Sequence, residues 1–172
     1  TVSTTASLGI SDALATALME LRGFKAEDFA IFHPGGSLGR QLARVKSIMH
    51  KDNLPIINLS TTLYDALFKI IECKLGIAII TDDNNILSGI IVDGDLKRLL
   101  IKNKSAENIL SKSVKDIMNK NPKVIYEDTL IGEALHIMEG KITNLVVVED
   151  TDKGKIPIGI VHIHDILKIK AF

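Results

Sequence analysis

Near the start of the chain, Ile10, Ala13, Leu14, Ala17, Leu18 and Leu21 recur at intervals of three and four residues. This spacing predicts an amphipathic helix over about residues 6 to 22, with Ser3, Thr4 and Thr5 available as N-caps and Gly23 as its stop. A shorter helix is expected over about residues 26 to 32. It breaks at His33-Pro34-Gly35-Gly36-Ser37-Leu38-Gly39-Arg40, because Pro34 disfavours helix at His33 and the glycines permit unusual backbone angles.

From residue 45 the pattern doubles. Val45-Lys46-Ser47-Ile48-Met49 returns as Val114-Lys115-Asp116-Ile117-Met118, and Thr62-Leu63 with Ala66-Leu67 returns as Thr129-Leu130 with Ala134-Leu135. Gly89-Ile90-Ile91 with Asp95-Leu96 returns as Gly159-Ile160-Val161 with Asp165-Ile166. Each unit, about 55 to 60 residues long, reads as helix, strand, strand, helix. In the first unit the apolar strands cover 77 to 81 and 86 to 92 around an Asp-Asp-Asn-Asn turn, and the second helix runs from 95 to about 102. In the second unit the elements are expected at about 129 to 139, 144 to 149, 156 to 163 and 165 to 170. A two-stranded hairpin with two helices is too small to bury both of its faces, so the copies are expected to pack on each other, sheet against sheet.

Composition narrows the function. With 46% hydrophobic residues among 172 the chain carries enough apolar material for a core, and 21 basic against 21 acidic residues leave no field for nucleic acid or an anionic membrane. No apolar run approaches the roughly 18 residues of a membrane span. The single cysteine, Cys73, cannot form an internal disulfide, fits a reducing cytoplasm and is expected to pack as a small hydrophobe. His50 and His136 read as surface residues. A chain that opens with Thr directly before a helix reads as a piece of a longer polypeptide.

The tandem units, each opening with Val-Lys-x-Ile-Met and closing with a glycine, apolar residues and an aspartate at the strand-to-helix junction, resemble a pair of CBS domains, the Bateman module. The Ser-Thr-Thr-Ala-Ser-Leu start, the Asp12-Ala13-Leu14-Ala15 helix, Gly23-Phe24 and His33-Pro34-Gly35-Gly36-Ser37-Leu38-Gly39 resemble the end of a SIS (sugar isomerase) domain. Together they resemble the D-arabinose 5-phosphate isomerases, which interconvert D-ribulose 5-phosphate and D-arabinose 5-phosphate. The resemblance implies an α/β fold with a helical SIS remnant over 1–44, a first CBS domain over 45–105 and a second over 114–172. It further implies a cytoplasmic homo-oligomer, a tetramer of the parent enzyme, acting in synthesis of the lipopolysaccharide or capsule sugar 3-deoxy-D-manno-octulosonate (Kdo), without a cofactor. The alternatives are a stand-alone CBS nucleotide sensor without catalysis and a purely structural pair that builds a dimer interface.

Aldose–ketose isomerisation through an enediol needs a base for the carbon-bound proton and a second group for the hydroxyl and carbonyl protons. His33, on its glycine-rich turn, is similar in position to the family's active-site histidine; without that context it reads as a loop residue. Ser3, Thr4 and Thr5 are candidates for a phosphate, with plain capping the first reading because these residue types are favoured there in any protein. The resemblance implies that Asp95 and Asp165 meet ribose hydroxyls in the CBS cleft, while capping alone also explains an aspartate there. Three residues earlier, where the family carries Ser or Thr for a phosphate, this chain has Val92 and His162. A standard adenylate site therefore lacks its hydroxyl in the first unit and is altered in the second, where His162 and His164 suit an anion when protonated, with CMP-Kdo the favoured ligand over AMP or ATP. No histidine pair has a spacing that makes a metal site.

Overall fold

The computed structural model describes residues 1–25, 28, 42–102, 109–140 and 142–170. The chain divides into two compact units, Thr1–Ala43 and Arg44–Phe172.

Within the first unit, helix α1 spans Val2–Leu21. It begins earlier than the apolar spacing suggests, because Thr1 is the N-cap and its side chain accepts from the Thr4 N–H. Ser3, Thr4 and Thr5 therefore lie inside the first turn rather than before it; the Thr5 hydroxyl donates to the Thr1 carbonyl and the Thr4 hydroxyl pairs with that of Thr1. The helix stops where expected: Gly23 takes φ +61°, its N–H donates to Glu20 O and the Phe24 N–H reaches Met19 O, the paired bonds of a left-handed C-terminal cap. The short helix expected over 26 to 32 and the loop carrying His33 lie outside the described residues.

The second unit is built twice from one plan. A single 3-10 turn (Val45–Ser47) leads into β1 (Ile56–Asn58), α2 (Leu63–Cys73), β2 (Ile77–Thr81), β3 (Leu87–Val92) and α3 (Asp93–Lys102). A second 3-10 turn (Val114–Asp116) leads into β4 (Val124–Ile125), α4 (Ile131–Met138), β5 (Asn144–Thr151), β6 (Gly154–His162) and α5 (Ile163–Lys170). Each sheet has three strands: β1 runs parallel to β2 and β3 antiparallel to it, and β4, β5 and β6 repeat this arrangement. The leading strands β1 and β4 are additions to the expected order. The second hairpin also extends to Thr151 and Gly154, and α3 and α5 each begin two residues earlier than expected, directly at the end of the preceding strand.

Period-two alternation sorts β2 between two cores. Ala78 and Ile80 face α2, where they join Leu63, Ala66 and Ile70, whereas Ile77 and Ile79 face the other sheet and pack with Val146, Val148 and Ile160. The sheet-against-sheet packing expected from the size of the repeat is thus present.

The repeats also exchange their leading segments. The Val45 N–H donates to Thr129 O and the Lys46 N–H to Glu127 O, while the Val114 N–H donates to Thr61 O and Val114 is fully buried in the core of the first repeat. Further along, His50 exchanges both backbone bonds with Ile160 on β6, and Asn119 does the same with Ile90 on β3. Each repeat is therefore completed by backbone of the other, and the mouth between the sheets is lined by both.

Candidate ligand cleft between the repeats

At the junctions of β3 with α3 and β6 with α5 the two halves present the same positions with different chemistry. Ile77 pairs with Val92 on one sheet, and Asn144 pairs with His162 on the other. Paired residues on antiparallel strands project to one face. At this pair of positions the first repeat is therefore apolar and the second polar.

Two cavities open there. One, of about 300 Å³, is lined by Asp95, Asn119, Asn121 and Lys123 together with Val92, Thr143 and Asn144. The other, of about 490 Å³, shares Val92, Thr143 and Asn144 and adds the basic side chains of Lys74, Arg98, His162 and His164, with Asp93 as the acidic residue among its lining. Lys74 is placed there by the end of α2, where it is the C-cap in the left-handed region at φ 57°. Each volume lies within the roughly 300–1,000 Å³ usual for small-molecule sites.

Asp95 and Asp165 fall in the first turns of α3 and α5, where an anion is favoured by the helix dipole. Each forms an ion pair one turn along its own helix, Asp95 with Arg98 and Asp165 with Lys168. Asp165 has a further partner: His50 Nε2 lies 2.8 Å from its Oδ2. Partial burial of Asp165 raises its carboxyl pKa, but the hydrogen bonds and charges of His50 and Lys168 together outweigh that and hold it below the ordinary 3.8. His50, exposed at the surface as expected, thus also reaches the junction, whereas His136 is 82% exposed and pairs with Glu139.

His162 ends β6 and His164 lies in the first turn of α5, and their ring centroids are 4.9 Å apart. The His164 N–H donates to His162 Nδ1, which places the proton of the neutral His162 ring on Nε2. Burial, and then the proximity of His164, lower the His162 pKa below 6.5. His162 is accordingly a neutral hydrogen-bond donor near pH 7, and the charge expected of it for an anion falls to Lys74 and Arg98.

Asn144 was not singled out by the pattern of the sequence. It is 5% exposed, its amide nitrogen donates to the Thr143 hydroxyl at 3.3 Å, and among the described residues its Oδ1 has no partner. Alignment of the repeats could have exposed it, since it replaces Ile77. The same alignment shows a shared Asp-x-x-basic step, Asp95 with Arg98 and Asp165 with Lys168. No group of three or more His, Cys, Asp or Glu residues that could hold a metal occurs among the described residues. His33 lies outside the described residues, and Ser3, Thr4 and Thr5 belong to the first unit.

The CBS domain pattern matches residues 45–102 and 114–171, the two structural repeats. The chain belongs to the CBS-domain family. It is 41% identical over 170 residues to arabinose 5-phosphate isomerase KdsD of Escherichia coli K12, covering 98% of this chain and 50% of that protein. It is 42% identical over 171 residues to KdsD of Pseudomonas aeruginosa, with 98% and 51% covered. The chain thus spans about half the length of these relatives and matches their C-terminal part. Among solved structures, CBSX2 in complex with AMP is 30% identical, with a TM-score of 0.62 and 74% of this chain and 96% of that one covered. No helix among the described residues of this CBS protein is long and apolar enough to cross a membrane.

Proposed function

We propose that this chain is the regulatory, C-terminal part of an isomerase that interconverts D-ribulose 5-phosphate and D-arabinose 5-phosphate for Kdo synthesis. In this reading residues 1–44 are the end of the SIS domain, 45–105 and 114–172 are the CBS domains, and the cleft between the repeats senses a nucleotide. The parent works in the cytoplasm as a homo-oligomer, a tetramer. The observation that carries the sensing role is the pair of neighbouring cavities, one lined by the Asp95 carboxylate and the other by the Lys74, Arg98, His162 and His164 side chains, with Arg98 paired to Asp95 between them. A carboxylate accepts from ribose hydroxyls, and the basic end takes the anionic part of the ligand. The names of the KdsD relatives support the isomerase, and the AMP complex of CBSX2 supports a nucleotide in the cleft.

Val92 offers no hydrogen bond to a phosphate, so a ligand anchored elsewhere is favoured over AMP or ATP. CMP-Kdo suits the cleft, because its sugar carboxylate finds Lys74 and Arg98 and the His162 Nε2–H while its diol finds Asp95. Feedback by such an end product gives the isomerase a reason to carry a sensor. In the catalytic half, His33 manages hydroxyl and carbonyl protons, and the carboxylate base and phosphate cradle belong to the part of the relatives that this chain does not span.

The test is an isomerase assay of the full-length parent with D-arabinose 5-phosphate. His33→Ala is expected to lower turnover by about a hundredfold or more with the fold unchanged. CMP-Kdo is expected to change the rate of the wild type and to leave a variant with Lys74 and Arg98 both changed to Ala unaffected. Full turnover in His33→Ala removes the catalytic role, and a rate indifferent to CMP-Kdo removes that ligand. A CBS pair that senses nucleotides without any catalytic partner is the second reading, favoured by CBSX2, 96% of whose chain the repeats cover. Absence of isomerase activity in the full-length protein would establish it.

A further inference from the structure

The two repeats present the same aspartate in unequal surroundings. Asp165 has both oxygens engaged, Oδ2 with His50 at 2.8 Å and Oδ1 with Lys168 at 3.2 Å. Asp95 keeps the equivalent pair, Arg98 on Oδ1, but among the described residues nothing occupies Oδ2, and its side chain is 36% exposed against 20% for Asp165. Asp95 lines the 300 Å³ cavity, whereas Asp165 lines neither of the two cavities.

The inequality traces to one pair of equivalent positions. His50 and Asn119 each follow the methionine of the leading motif, and each bridges the outer strand of the opposite repeat. The imidazole at 50 reaches Asp165. The amide at 119 turns instead to its own loop, where Oδ1 accepts from the Asn121 N–H at 3.0 Å, and leaves Asp95 open.

A second observation points to the same end of the cleft. Asn144, 5% exposed and with an Oδ1 that has no partner among the described residues, lines the Asp95 cavity. A buried acceptor of this kind is normally paired, so it marks a place for a donor from outside the chain. Its counterpart, Ile77, makes no such demand.

We propose that the module takes one nucleotide rather than two, bound at Asp95 with a donor of its base or sugar on Asn144, the equivalent position at Asp165 being filled by the protein's own His50. This rests on the reading of the cleft as a nucleotide site. A ribose hydroxyl arriving at Asp95 meets a carboxylate oxygen with nothing to displace, whereas at Asp165 it must remove an imidazole already at hydrogen-bonding distance.

The experiment is calorimetry and native mass spectrometry on the intact chain with AMP and CMP as probes, the fold of each variant being checked by circular dichroism. One nucleotide per chain is expected. Asp95→Ala should weaken it by about tenfold or more, as loss of a charge-assisted hydrogen bond does, and Asp165→Ala should leave it within about twofold. His50→Asn installs the residue that the other repeat carries at Asn119, keeps the backbone bridge to Ile160, and should raise the stoichiometry to two; adding Asp165→Ala should return it to one. Two nucleotides per wild-type chain, loss of binding in Asp165→Ala with Asp95→Ala spared, or a single nucleotide in His50→Asn overturns the one-site inference and leaves the nucleotide reading standing. Failure of both probes to bind any variant at millimolar concentration overturns both.

Discussion

Gly89 on β3 lies so close to Asn119 that a Cβ added to it would sit 2.7 Å from the Asn119 carbonyl oxygen and 2.8 Å from Met118 Sδ. The oxygen belongs to the bridge that ties the second repeat's leading segment to the first repeat, so it cannot withdraw without breaking Asn119 and Ile90 apart. The equivalent Gly159 is less constrained: its nearest neighbours would be Met49 Sδ at 3.0 Å, on a flexible side chain, and His50 O at 3.1 Å. Gly89→Ala is expected to destabilise by about 1–3 kcal/mol, as overpacking does, and Gly159→Ala by less. Urea unfolding of both variants measures this, and equal stability of Gly89→Ala and wild type would show that the bridge yields.

That glycine was visible in the sequence as part of a repeated motif, but its reason was not. The repeat, the amphipathic α2 and the apolar β2 are legible because burial imposes a local period on neighbouring residues. β1 and β4 escape that logic: three and two residues long, they are too short to show alternation, and each is held by parallel pairing with a strand more than 20 positions away. The equivalence of Asp95 and Asp165 can be read from the doubling. The contact between His50 and Asp165, 115 residues apart, cannot, because it arises from the exchange of leading segments. Asn144 hides for another reason. It stands directly before four buried apolar residues, Leu145 to Val148, and only comparison with Ile77 marks it as unusual.

The exchange of leading segments makes the pair, rather than either repeat, the cooperative unit. A chain of residues 44–172 is expected to unfold in a single transition. A chain carrying only the first repeat loses Val114 from its core and the Thr61 carbonyl's partner, and it exposes Ile77 and Ile79. It should therefore be poorly soluble and lack a sharp melt. A single repeat that stays monomeric and melts sharply would contradict the packing described here.

His162 gives the pair a defined pH response. Its folded pKa lies below 6.5, first through burial and then through His164; His50 and Lys168 push the same way and Asp165 opposes them. The unfolded chain takes up a proton near 6.5 that the folded chain resists, so stability is highest above that pH and declines as pH falls through and below it. Asp165 does not share this window. Its folded pKa is below 3.8, so its contribution is complete above that value and is lost only as pH falls lower. Thermal melts at about pH 7.5 and about pH 5.5 should show a smaller loss in His162→Val, which installs the residue of the other repeat, than in the wild type. Parallel losses would exclude His162 as the group responsible.

Asn144 should oppose stability to binding. Its Oδ1 is buried without a partner among the described residues, and such a group costs about 1–3 kcal/mol relative to an apolar side chain of similar shape. Asn144→Ile places there the residue that the first repeat carries at Ile77, at the start of a strand that favours β-branched side chains and beside a mouth already lined by Val92. The variant is expected to be more stable than the wild type by about 1 kcal/mol in urea unfolding, with part of the gain offset by the bulk of the new side chain. Its affinity for AMP or CMP should fall, because the acceptor for the ligand's donor is gone while the Asp95 carboxylate remains. A gain in stability together with weaker binding is the pattern of a residue retained for recognition at the expense of the fold. If Asn144→Ile is less stable than the wild type, the amide is satisfied within the protein, and its place in the cleft is structural.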